Sequence, residues 1–199
     1  MPEMSPLQAL MDSRRSIRRY LPRPVEKDKI RSCLEAARIA PSAENAQTWR
    51  FLVIDDPEIK DRFARAAFSG IYGATRFAAQ APVLVLMMSK LDFLANRLGQ
   101  SVQGIPFHLL DMGIAGEHFV LRAEELGLGT CWIGWFAVRA ARRFFRIPRS
   151  YKILSLMSVG YPASRPPGAR VRKPLDEIAW YNGFKEEKTP IPEPIEACE

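Results

Sequence analysis

A chain of 199 residues is long enough to bury one sizeable core and short for two independent enzyme domains, so one domain spanning residues 1–199 is expected. An apolar fraction of 47% and a charged fraction of 26% are those of a globular protein in water, and no apolar run approaches the roughly 18 residues of a membrane helix, which excludes a membrane-spanning class. The net charge of +7 admits a nucleic-acid partner through counterion release, but the arginines are not in one stripe and no aromatic residues interleave with residues 14–19. Two separated basic clusters could instead converge on one phosphate group. The first residues carry neither a basic nor an apolar signal region, so a cytoplasmic location is expected. Cys33, Cys131 and Cys198 stand far apart with only His108 and His118 as nitrogen partners; they fit neither a zinc site nor a disulfide framework and are read as reduced thiols, with no metal.

In chain order, Ser5-Pro6-Leu7-Gln8 predicts a helix start, with Ser5 as cap, Pro6 in the first turn and Gln8 completing a capping box; the helix ends near residue 14. Apolar residues from Val25 through Ile30, Cys33, Leu34 and Ala37 predict a second helix that stops near residue 40, before Pro41. Residues 41–48 read as a loop, 49–54 as a buried strand, and Asp55-Asp56-Pro57 as the cap of a helix carrying Ile59 and Phe63. A strand is predicted over 83–88. Residues 89–106 lack a period and read as an irregular segment over a site. A helix over 107–126 ends at Gly127, with apolar residues on more than one face, so it should be buried on several sides. Strands over 130–133 and 153–159 flank a basic helix over 138–145. The alternation predicts an α+β fold, a mixed sheet flanked by helices. From residue 161 onward the prolines predict an extended C-terminal arm, 161–199, whose Leu175, Ile178, Trp180, Tyr181 and Phe184 should dock, plausibly on a partner subunit.

Four segments carry chemistry. Arg14-Arg15-Ser16-Ile17-Arg18 offers three guanidiniums and a hydroxyl within five residues, donors suited to a phosphate monoester, although a solvated helix end explains it equally well when taken alone. The loop from Pro41 to Trp49 is dense in short polar side chains that can meet a heteroaromatic edge, or make an ordinary helix-to-strand turn. Gly127-Leu-Gly-Thr-Cys-Trp-Ile-Gly134 flanks a strand with glycines, so that backbone can approach a ligand, but it is no Rossmann fingerprint. Arg170-Val-Arg172-Lys173-Pro174 is a late basic segment that also reads as a solvated loop.

In order and spacing, the four together resemble the nitroreductase-like FMN-dependent oxidoreductase family over roughly residues 7–180. The family's Arg-Arg-Ser-x-Arg, Pro-Ser-x-x-Asn-x-Gln-Pro-Trp, Gly-Leu-Gly-Thr-Cys-Trp-Ile-Gly and Arg-Lys-Pro segments match residues 14–18, 41–49, 127–134 and 172–174, except that Thr48 stands where proline is usual. That change is expected to loosen the strand entry and leave the polar residues untouched. The resemblance implies an interlocked homodimer with FMN at the subunit interface. Arg14, Arg15, Ser16, Arg18 and Arg172 would hold its phosphate end, with Arg170 nearby and Ile17 a further cofactor-binding residue of the first segment. Ser42, Ala43 and Asn45 would reach the flavin from the partner. Trp132, Ile133 and Gly134 would lie along the ring, with a backbone N–H near Gly134 at its central nitrogen.

No catalytic side chain is then required, because a flavin carries the hydride step. The resemblance implies NADH or NADPH as donor, a small oxidised acceptor such as a nitroaromatic or quinone, and ping-pong turnover. Phe68, Tyr72, Phe77, Phe93 and Phe107 are candidate acceptor walls, or plain core. No Glu-Tyr-Lys lid of the deiodinase kind is seen. The alternatives are a flavin-binding carrier or sensor without NAD(P)H turnover, and the nucleic-acid-binding module.

Overall fold

The computed structural model describes residues 4–90, 104–166 and 170–183, which fall into two units, residues 4–166 and the described part of 167–199. Helix α1 (Pro6–Ser13) starts where Ser5 Oγ accepts the Gln8 N–H at 3.2 Å, with Pro6 in the first turn. Only half of the capping box forms, since the Gln8 side-chain amide turns forward to Asp12 at 3.3 Å. Helix α2 (Lys27–Arg38) is shorter at both ends than its apolar period: Glu26 has the extended backbone of a cap, and Ile39 closes the last turn ahead of Pro41. Strand β1 (Trp49–Ile54) matches its expected span, and helix α3 (Pro57–Ala67) is capped by Asp56, which accepts the Ile59 N–H at 2.8 Å.

Between α3 and strand β2 (Val83–Lys90) the chain forms a 3-10 run, Gly70–Gln80, which the sequence did not reveal because a three-residue turn leaves no 3.6-residue apolar period. Of the irregular segment expected over 89–106, residues 91–103 lie outside the described residues, and Phe93 with them. Helix α4 (Phe107–Glu125) ends as Gly127 takes φ +75° and the Leu128 N–H donates back to the Ala123 carbonyl at 2.8 Å. Strand β3 (Gly129–Ile133), helix α5 (Val138–Phe144) and strand β4 (Tyr151–Gly160) complete the unit.

The strands pair in the order β1-β2-β4-β3, each neighbour antiparallel. Strand β2 shows how the sheet is covered on both faces. Val83, Val85 and Met87 pack with Ile30, Cys33 and Phe119 of α2 and α4, while Leu84, Leu86 and Met88 pack with Phe63, Phe68 and Ala141 on the α3 and α5 side. The expected α+β architecture is therefore the observed one. A parallel pairing also exists: Ser16 bridges Thr130, and the Ile17 N–H donates to the Thr130 carbonyl at 2.8 Å, so residues 14–18 run extended beside β3.

The first unit runs to residue 166, so the first residues of the expected arm, 161–166, lie within it. Tyr161 and Ala163 are stitched to the N-terminal segment by Leu21 N–H to Tyr161 carbonyl at 2.8 Å and Ala163 N–H to Arg19 carbonyl at 3.0 Å. The second unit has a single 3-10 turn among its described residues, Leu175–Glu177, and its Leu175, Ile178, Trp180 and Tyr181 are exposed; Phe184 lies outside the described residues. Among the described residues no helix is long and apolar enough to cross a membrane.

Candidate active site

The basic segment 14–18 is held from beneath. Ile17 is fully buried and sits against Gly129, where an added Cβ would come within 2.5 Å of Ile17 Cγ1. Three residues on, the Tyr20 hydroxyl donates to the Ile17 carbonyl at 2.7 Å and bonds the Ser158 hydroxyl at 2.8 Å; burial pushes its pKa up. With Ile17 pinned inward in an extended chain, Arg14, Ser16 and Arg18 project the other way. The Cys131 thiol registers them: burial raises its pKa, and the charges of Arg18 and Arg14 and a hydrogen bond with Ser16 oppose that rise. Arg14 is also 3.8 Å from Glu117, and Arg18 lies over the Phe77 ring at 5.8 Å. Arg15 points elsewhere: its guanidinium donates to the Asp12 carbonyl at 2.5 Å and to the Arg14 carbonyl at 3.1 Å, closing the C-terminal end of α1. It thus also fixes the segment's entry.

Strand β3 runs on from its pairing with this segment through Trp132 and Ile133, and Gly134 follows its end. Ile133 is buried in the core, whereas Trp132 is 37% exposed and lays its ring against α4, where a Cβ on Gly116 would meet it at 2.2 Å. A Cβ on Gly134 would meet nothing within 4 Å, so its backbone borders open space. The wall beyond is aromatic. Trp135 is half exposed, its ring 5.3 Å from Tyr72, its indole N–H donating to the Ile71 carbonyl at 3.0 Å and its carbonyl accepting from Thr75 at 2.7 Å. Of the expected acceptor walls, Tyr72 and half-buried Phe107 are available at a surface, Phe77 supports Arg18, and Phe68 belongs to the core.

The polar loop is strained and anchored. Glu44, Asn45 and Gln47 all have φ near +50°, three of the five described non-glycine residues that do, a conformation costing of order 1–3 kcal/mol each and typical of ligand clamps. Its anchors are Ala43 N–H to Asp111 Oδ1 at 3.0 Å, Gln47 N–H to Ser42 Oγ at 3.0 Å, and the Gln47 amide to Asn45 Oδ1 at 2.8 Å. Thr48 does not loosen the strand entry: it is buried, and its carbonyl accepts the Lys90 N–H at 2.8 Å. Its hydroxyl, like that of Ser89, has no partner among the described residues.

Within one chain the loop and the basic segment are held by different stretches of α4. Asp111 takes the loop, while Glu117 faces Arg14 and Glu124 accepts from Ser13 at 3.0 Å and Arg165 at 2.6 Å. Six residues of helix between Asp111 and Glu117 amount to about 9 Å, and no hydrogen bond joins the two segments among the described residues. Arg170 and Arg172 belong to the second unit, where Arg172 donates to the Val171 carbonyl at 2.8 Å. Sequence reasoning missed Asp111, Gly116 and Glu124; a buried carboxylate or glycine inside an otherwise apolar helix is the signal that marks them.

The nitroreductase family model matches residues 11–75 and 72–161. The chain belongs to the nitroreductase family. It is 32% identical over 169 residues to a putative NADH dehydrogenase/NAD(P)H nitroreductase of Methanothermobacter thermautotrophicus, covering 82% of this chain and 81% of that protein. Among solved structures it resembles a nitroreductase family protein of Clostridium difficile, with 30% identity, a TM-score of 0.74, and coverage of 88% of this chain and 97% of that one. It also resembles an FMN-dependent nitroreductase of Clostridium difficile, with 29% identity, a TM-score of 0.69, and coverage of 88% and 98%. The residues of this family member fit a flavin phosphate and ring. A cationic and hydroxylic face of Arg14, Ser16 and Arg18 adjoins a strand whose end, at Gly134, has open space where a side chain would otherwise stand.

Proposed function

We propose that this chain is an FMN-dependent NAD(P)H oxidoreductase that reduces small oxidised acceptors such as nitroaromatics or quinones. The observation that carries the reading is the Arg14, Ser16 and Arg18 face gathered at Cys131, on the strand that leads into the open backbone of Gly134, in a member of the nitroreductase family. Arg14 and Arg18 supply forked charged donors for a phosphate, and Ser16 adds a hydroxyl. Arg15 and Tyr20 hold the segment's path. The backbone at Gly134 meets the ring edge, and Trp132 and Ile133 set the height of β3 beneath it. When bound, FMN supplies the two-electron relay between nicotinamide and acceptor.

The chain's own contribution is to bind, orient and expose. Hydride transfer through a flavin needs no side-chain base, and none is assigned here. One open ledge serves donor and acceptor in turn, which makes the kinetics ping-pong. A second copy of the chain completes the site. Leu7 and Met11 of α1 and Leu110 and Ile114 of α4 are exposed on helices that pack together, a surface a partner would bury, and the loop with Ser42, Ala43 and Asn45 is then carried to the partner's flavin by α4. The exposed apolar residues of 170–183 are assigned to the same partner contact.

Purification tests the reading. A yellow protein with flavin absorption, or one that becomes yellow on adding FMN and elutes as a dimer, agrees with it; a preparation that stays colourless with excess FMN contradicts it.

A further inference from the structure

We propose that the cleft between α3 and the 3-10 run is the seat of the adenosine 2′-phosphate of NADPH, making this enzyme selective for the phosphorylated nicotinamide. The inference rests on the oxidoreductase reading above and extends it to the donor.

The cleft has a volume of about 390 Å³ and is lined by Asp61, Ala64, Arg65, Phe68, Ser69, Gly70, Arg76 and Ala79. That is within the size range of small-molecule sites. Its floor is apolar, from Ala64, Phe68 and Ala79, and its rim carries two guanidiniums. Among the described residues neither the Arg65 nor the Arg76 guanidinium makes a hydrogen bond or an ion pair, and Arg65 acts on Asp61 through its charge. The one carboxylate of the lining, Asp61, is held by Lys60 Nζ at 2.8 Å, and that bond, with the Lys60 and Arg65 charges, keeps its carboxyl below the usual range. The positive charge of the rim is therefore in excess. A dianionic phosphate monoester matches two arginines both in charge and in fork geometry, and a guanidinium also offers a flat face for a purine.

Position selects a nicotinamide dinucleotide among phosphorylated ligands. The same 3-10 run that contributes Gly70 and Arg76 to the cleft holds Trp135 through the Ile71 carbonyl and the Thr75 hydroxyl, one residue beyond Gly134. Ser69 and Gly70 enter that run directly from the α3 side, and the Ala137 N–H donates to the Ala67 carbonyl at 2.9 Å, tying the end of α3 to the loop that follows Gly134. Both elements that line the cleft are thus tied to the loop that follows Gly134, so a dinucleotide whose nicotinamide stacks at Gly134 would reach the two arginines by way of Trp135 and Tyr72. NADH lacks the 2′-phosphate and forgoes both guanidinium contacts.

The test uses the FMN-loaded protein and 2′,5′-ADP, which carries the distinguishing phosphate without the nicotinamide. Titration calorimetry should show 2′,5′-ADP binding about tenfold or more tightly than 5′-AMP, without release of FMN, and Arg65→Gln and Arg76→Gln should each weaken it about ten- to a hundredfold, the range for a lost charged hydrogen bond. Equal affinity for the two nucleotides, displacement of FMN, competition by inorganic phosphate at the same concentration, or unchanged binding in both variants overturns the assignment. Wild-type protein reduced equally by NADH and NADPH and blind to 2′,5′-ADP contradicts the cleft alone. Wild-type protein reduced by neither contradicts the oxidoreductase reading itself.

Discussion

Replacing Gly129 by alanine separates a packing role for this glycine from mere backbone tolerance. Gly129 lies in β3 without a left-handed φ, and glycine in a strand ordinarily costs about 0.5–1 kcal/mol relative to alanine, so Gly129→Ala should stabilise the protein if nothing stood in the way. Three atoms of Ile17 do stand there, Cγ1 at 2.5 Å, Cβ at 2.8 Å and Cγ2 at 3.0 Å from the new Cβ. Ile17 is fully buried and its N–H is bonded to Thr130, so it cannot swing into solvent; it must push the 14–18 segment off β3. Overpacking of this kind costs about 1–3 kcal/mol. Chemical denaturation should therefore show a destabilisation, and FMN titration a weakened affinity, because the pushed segment carries Arg14, Ser16 and Arg18. The mechanism is specific enough for a double-mutant cycle. Ile17→Ala alone should cost about 2–5 kcal/mol by opening a cavity, and the Gly129→Ala methyl should then partly fill that cavity. The double variant is expected to be more stable than the sum of the singles by at least about 1 kcal/mol. Additivity within about 0.5 kcal/mol would refute the contact as the reason for the glycine.

Further outcomes follow from the same geometry. Arg14→Ala should weaken FMN binding by about 1.5–3 kcal/mol, the value of a hydrogen bond to a charged group, and Arg172→Ala, tested in parallel by fluorescence titration, checks the sequence-based expectation for the late basic segment. Asp111→Asn weakens the acceptor for the Ala43 N–H and should lower FMN affinity while leaving α4 folded; unchanged affinity with unchanged dimerisation would remove the loop from the site. Ser89→Ala removes a buried hydroxyl without a described partner and should raise stability by about 1 kcal/mol in urea unfolding. The Tyr161 hydroxyl, donating at 2.6 Å, holds the Glu26 carboxyl down at about 2 with help from Arg23 and Lys29. Because the folded pKa is depressed, that contribution is present above about pH 4.5 and is lost as pH falls toward 2; Tyr161→Phe should flatten the acid limb of a Tm-against-pH profile.

Much of this was legible in the sequence for a physical reason. The strand 49–54 and the helix ends at Asp56 and Gly127 depend on local chemistry, side-chain caps and a left-handed glycine, and so survive in the residue order. The placement of Arg14–Arg18 beside β3 is a long-range pairing between residues 16 and 130, which no local pattern carries, although buried Ile17 and Tyr20 in a basic run were its trace. Arg15 shows what composition does not carry: besides sharing the motif's chemistry it closes the turn at the end of α1. Gly129 likewise looked like a ligand approach and is a packing site. The 3-10 run and its arginine cleft were invisible because their residues come together only when that run folds back on α3.

The central claim is that Arg14, Ser16, Arg18 and Gly134 hold an FMN that passes hydride from a nicotinamide to a small acceptor. Anaerobic mixing of the FMN-loaded protein with NADPH, followed by a nitroaromatic or quinone, tests it in one cuvette. The account predicts bleaching of the flavin band on the first addition and its return on the second. A band that neither NADPH nor NADH bleaches contradicts it.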